Sequence, residues 1–220
     1  MKQMIFLFLY LLMSVWHLYF SWKDDAKGRA FTKPFLLLLL IFFYLFSKTT
    51  TNHYLLLALI TSWLGDVLLI GKGHKWFTLG GISFMFCHFF FILVYLQRIR
   101  FSVTYLLLLI VAILYYGIAL WIIHSVKDNT PKKMLLPMYF YLICNSTMNI
   151  FALMQVLSLR SAGALVAYLG ALLFYISDCT LFLVRYHRNK DLIFKKHFTV
   201  MLTYLSGELL ITVGILMMGG

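Results

Sequence analysis

Long apolar runs separated by short basic breaks make up almost the whole chain. A membrane-spanning helix needs about 20 apolar residues, with a working range of about 17–25. The runs are Met4–Trp22, Pro34–Ser47, Tyr54–Ile70, Phe77–Leu96, Tyr105–Ile123, Met134–Leu157, Ala162–Val184 and Phe198–Met218. The second is short. Pro34 is tolerated at a first helical turn, where the missing N–H has no helical partner. That span extends at one end or sits in a thinned bilayer. Glycines and lysines from Gly71 to Lys75 carry turn chemistry, and Lys127–Lys133 is the clearest break. The pattern predicts an all-α fold: a polytopic membrane bundle of eight transmembrane helices. It forms a single domain over residues 1–220, with no linker, low-complexity tract or repeat.

Composition narrows the class further. The chain is 63% hydrophobic and 12% charged, far from the half-apolar, quarter-charged balance of soluble domains. A net charge of +12 does not point to nucleic acid, because there is no polar domain to present a basic face. Lys and Arg instead fall in the breaks, 14 in one alternating set and 5 in the other. The positive-inside rule puts the richer set in the cytoplasm and both termini on the non-cytoplasmic side. The first run has one Lys before it and no small-residue cleavage site before Lys23, so it reads as a retained helix and not a signal peptide. Cys87, Cys144 and Cys179 lie inside apolar runs at spacings that fit no zinc or redox pattern. They read as small hydrophobes.

Acidic residues within the runs change the picture. A carboxylate near a bilayer centre costs about 2.5–3.5 kcal/mol on insertion scales and marks a functional site by default. Asp66 and Asp178 each sit near the end of a span. At 1.5 Å per residue Asp66 is about 6 Å from Ile70 and Asp178 about 9 Å from Val184. Both spans run in the same direction, so the two acids are expected at similar depth near the cytoplasmic side. Glu208 is deeper, near the middle of the last span. Ser62 shares a helical face with Asp66, His88 lies mid-span, and Asn145 and Asn149 share a face. Each could be an interhelical packing partner or part of the site; His17 is a weaker candidate. Asp66, Asp178, His88 and Glu208 could gather around an ion, but zinc sites favour several His ligands and no close-spaced ligand pair occurs. No metal and no cofactor is expected. P-loop, dinucleotide-turn and nucleophile-elbow patterns are missing.

Several blocks carry a resemblance. They are Thr32-Lys33-Pro34, Gly65-Asp66-Val67-Leu68-Leu69, and Phe77 and Gly80 leading to Phe84 and His88. Then come Gly170 to Leu181, containing Phe174-Tyr175-Ile176-Ser177-Asp178, and Tyr204-Leu205-Ser206-Gly207-Glu208. In these blocks the chain resembles the YhhN/TMEM86 family of lysoplasmalogenase-like membrane proteins. The family typically has Gln where this chain has Glu208. The resemblance implies a hydrolase that cleaves the vinyl ether of lysoplasmalogen to a fatty aldehyde and glycerophospho-ethanolamine or -choline.

Chemistry fits that implication. A vinyl ether accepts a proton at its β-carbon, and the resulting oxocarbenium ion takes up water. Glycosidases meet the same need with two carboxyl groups of unequal proton affinity. Asp66 and Asp178 are the expected catalytic pair. Ser62, His88, Asn145, Asn149, Tyr175, Ser177, Tyr204 and Glu208 are supporting candidates, and Lys33, Lys72 and Lys75 are expected at the phosphate. The partners implied are a lysophospholipid substrate and membrane lipid. The alternatives are a proton-coupled transporter or lipid-binding membrane protein, and a hydrolase of another ether or ester lysolipid.

Overall fold

A computed structural model describes residues 2–47, 51–99 and 105–219. Among them are helices α1 (Lys2–Trp22), α2 (Ala26–Phe46), α3 (His53–Leu68), α4 (His74–Leu96), α5 (Tyr105–Val126), α6 (Lys132–Leu159), α7 (Ala162–Tyr186) and α8 (His197–Met217). Seven are long and apolar enough to cross a membrane, and α3, at 16 residues, is shorter. The outward faces are those of a protein solvated by lipid: Phe8, Ile113, Trp121, Leu136 and Phe140 are exposed. Buried polar side chains are gathered inside, among them Ser62, Asp66, His88, Asn145, Asp178 and Glu208. In hydrocarbon every such group must find its partner within the protein.

The second helix corrects the sequence reading. It starts at Ala26 and not at Pro34, so most of the basic stretch read as a loop is helical. Asp25 explains the start: its side chain accepts from the Lys27 N–H as an N-cap. Pro34 therefore lies inside the helix. The shift places Lys33 on a buried helical turn and aims it into the bundle. In the third span, helix ends at Leu68, and Leu69–Gly71 turn back toward α4.

Helices α7 and α8 form the most extensive helix pair, because glycines let their backbones touch. A Cβ on Gly170 would lie 2.5 Å from Ile211 N and 2.7 Å from Gly207 O; one on Gly207 would lie 2.9 Å from Gly170 O. Small residues at helix crossings are a common membrane packing device. Here the seam sets the height of Asp178 on α7 against Tyr204 and Glu208 on α8. Gly170→Val is expected to lower unfolding free energy by about 3 kcal/mol, the upper end of overpacking costs, since backbone has to move. Thermal unfolding in detergent checks this; an unchanged midpoint would remove the seam from the account.

Candidate functional site

The odd helices α1, α3 and α7 end, and the even helices α2, α4 and α8 begin, at one end of the bundle. A cavity of about 440 Å³ opens there. Its walls include His17 from α1, Lys33 from α2, Asp66 from α3, Asp178 from α7 and Tyr204 from α8. The carboxylates lie 112 residues apart in the chain and line the same hollow.

Asp66 is 1% exposed, and both its oxygens are engaged. Lys33 Nζ lies 3.1 Å from Oδ1, and the Tyr204 hydroxyl donates to Oδ2 at 2.8 Å. The Tyr204 oxygen also lies 2.9 Å from Ser62 Oγ, which in turn is hydrogen-bonded to Glu208 Oε1. Ser62 comes to this spot because it is one helical turn before Asp66. Phe84 packs edge-on against both Tyr204 and Phe174, closing the wall between the two acids.

Asp178 is held differently. His88 Nε2 is 3.1 Å from Oδ2, and Asn145 Nδ2 donates to the same oxygen at 2.7 Å. The Tyr141 hydroxyl is a further hydrogen-bonding neighbour of the Asp178 carboxyl. His88 Nδ1 is buried without a partner, which fits a neutral ring that carries its hydrogen on Nε2 and donates to Asp178. A cationic ring would bury an unpaired N–H as well. The imidazole is fixed by edge contacts with Tyr141 and Phe174. Asn149 is a turn further on and donates to Asn145 Oδ1 and O, so it steadies Asn145.

Other candidates fall inside or outside this group. Ser177 lines the cavity while its hydroxyl donates to Val200 O. Lys72 is at the rim, whereas Lys75 is exposed on the first turn of α4 and does not line the cavity. Tyr175 points away, donating to Tyr115 O on α5. Lys33 sits against Asp66 itself, closer in than the expected phosphate mouth. Asp66, Asp178, His88 and Glu208 resolve into two hydrogen-bonded groups. Among the described residues no three His, Cys, Asp or Glu side chains are grouped as a metal would require.

Sequence reasoning passed over Arg29, Tyr141, Arg185 and His197, all of which line the cavity. Arg29 donates to Asp24 at 2.7 Å and holds that carboxyl below its usual range. Arg185 lies over the Phe77 ring at 3.8 Å and, like Lys72, has no carboxylate partner among the described residues. A Lys or Arg in a break carries no local signal that separates a topology marker from a ligand-binding cation. His17 contributes more than expected: its Nδ1 contacts Thr32 Oγ1 at 2.7 Å, and the ring lines the cavity.

A second cavity of about 320 Å³ adjoins the first and shares Leu69, Phe77, Phe84, Tyr141 and Leu181 as walls. It is apolar apart from Thr78, Tyr141 and Tyr186, and runs between α4, α6 and α7. Its outer wall includes Ile82, Leu136 and Phe140, which are exposed on the lipid-facing side. An amphiphile with a charged head and a hydrocarbon tail matches this two-part shape.

The model of the YhhN family matches residues 28–215. No curated protein and no solved structure matches the chain.

Proposed function

The chain belongs to the YhhN family, and we propose on that footing that its two-acid cavity is an intramembrane active site for lysoplasmalogen. One carboxyl group gives a proton to the β-carbon of the vinyl ether. The other carboxylate stabilises the oxocarbenium ion and takes a proton from the water that adds to it. The first group, now a carboxylate, takes the hemiacetal hydroxyl proton while the second returns its proton to the leaving oxygen. The C–O bond then breaks to a fatty aldehyde and a glycerophospho head group, and both acids are restored. The observation that carries this reading is that Asp66 and Asp178 line one cavity whose rim holds Lys72 and Arg185. Those cations suit the substrate phosphate, and the adjoining apolar cavity suits the alkenyl chain. Eight spans with the basic cavity end in the cytoplasm complete the proposed topology.

Mass spectrometry of products from a mixed lipid extract tests it. Aldehyde from lysoplasmalogen supports the reading. Fatty acid release points to another lysolipid ester, and proton flux without lipid cleavage points to a transporter.

The tail site makes a separate prediction. Gly81 lines the apolar cavity, and a Cβ there would meet nothing within 4 Å. Gly81→Leu should fill the cavity without disturbing the helices. Long-chain substrate is expected to lose about tenfold in kcat/KM, the scale on which apolar pockets discriminate chain volume, and short-chain substrate little. An equal loss for both lengths would place the chain elsewhere.

A further inference from the structure

The site contains more hydrogen-bond gaps than hydroxyl protons to fill them. Asp66 Oδ2, Tyr204 OH, Ser62 Oγ and Glu208 Oε1 form an unbroken row with three oxygen–oxygen contacts. Each contact needs one hydrogen. Tyr204 and Ser62 supply two. If Tyr204 donates to Asp66 and Ser62 to Glu208, the two hydroxyl oxygens face each other at 2.9 Å with nothing between them. The third proton therefore has to be on one of the two carboxyl groups at the ends.

The surroundings decide which end. Asp66 has the Lys33 ammonium at 3.1 Å, the arrangement that suits a carboxylate. Glu208 is fully buried, its Oε2 has no partner, and no cation among the described residues pairs with it. The titratable groups around it on the packed helices are Tyr10, Cys87, Tyr95 and Tyr204, with Asp66 and Asp178 beyond them, and none is cationic. An anion there would leave a charged oxygen unpaired in a dry interior, whereas a neutral acid leaves only a carbonyl oxygen.

We propose that Glu208 is a neutral carboxylic acid that heads a one-way hydrogen-bond chain, donating to Ser62, which donates to Tyr204, which donates to Asp66. The proton count itself is independent of the substrate. Combined with the lysoplasmalogen reading, on which this second step rests, it separates the two acids. Asp66, receiving from Tyr204 and paired with Lys33, is the carboxylate that stabilises the cation and takes a proton from water. Asp178, the other member of the pair, is then the acid that protonates carbon, with the Tyr141 hydroxyl beside its carboxyl group. Glu208 touches no reacting atom; it is a positioning residue that fixes Asp66 in its ionised, aimed state.

Infrared difference spectroscopy at neutral pH reads this directly from the C=O stretch of protonated carboxyl groups. Subtracting the Glu208→Gln variant should reveal one acid band lost from wild type, and Asp66→Asn should reveal none. The amide of Glu208→Gln still donates to Ser62, so that variant retains most of the turnover that Glu208→Leu loses. The loss in Glu208→Leu is expected at about tenfold, the upper end of the net worth of one neutral hydrogen bond. If Glu208→Gln does not fold, Ser62→Ala substitutes for it: loss of the acceptor moves the Glu208 band to higher frequency. An acid band that vanishes with Asp66→Asn, or a Glu208 band that Ser62→Ala leaves unmoved, overturns the proposal. Both spectra are taken without substrate, so they fail separately from any failure to release aldehyde.

Discussion

Asp178→Asn is expected to lower aldehyde release by about 10²–10⁴-fold, the contribution of a positioned acid–base group, with little change in the unfolding midpoint. The geometry explains why the two effects separate. His88 and Asn145 both contact a single oxygen, Oδ2. An amide can put its own oxygen there and accept both, leaving its NH₂ at the Oδ1 position, where the Tyr141 oxygen can accept from it. The packing partners stay satisfied, and only the transferable proton is lost. Turnover of the purified variant beside its thermal midpoint checks this. Full turnover would remove Asp178 from the chemistry. A large fall in midpoint would make it a structural residue.

Lys33→Met should be the most destabilising single change at the site. The Asp66 side chain is 2% exposed, and Lys33 is its only cation among the described residues. Removing one partner of a buried ion pair costs about 3–5 kcal/mol, because the other charge is left uncompensated. Lys33 is 15% exposed beside the cavity, so about 3 kcal/mol is expected. Lys33→Met combined with Asp66→Asn should recover most of that stability while turnover stays lost. Chemical unfolding of the two single variants and the double variant measures the coupling. Additive effects would show that the pair is solvated and that Asp66 is held by Tyr204 alone.

The acids were legible because hydropathy makes them conspicuous. Asp66 and Asp178 interrupt apolar runs that charge bias orients in the same direction, and that is enough to bring them to one end of a bundle. Ser62, His88 and Asn145 could be proposed from helical spacing and depth. Roles were harder to read. In the sequence Lys33 reads as a loop cation at the phosphate, because Pro34 suits a helix start and Asp25 alone does not announce the cap it forms. Once the helix begins at Ala26, Lys33 is carried inward to Asp66. Tyr175 is adjacent in the chain to the Ser177–Asp178 pair, yet its side chain belongs to the α5 interface. Neighbourhood in sequence says little about direction on a helix. Tyr141 and Arg185 meet the site only through tertiary packing, which no single run encodes.

The most direct measurement of the central claim follows purified protein turning over lysoplasmalogen in D₂O, with the products analysed by mass spectrometry. Protonation of the β-carbon by an exchangeable carboxyl group predicts a fatty aldehyde carrying one deuterium on the carbon next to the carbonyl. Asp66→Asn and Asp178→Asn should both suppress it. Aldehyde without deuterium at that carbon, or undiminished release from both variants, would contradict the two-acid account.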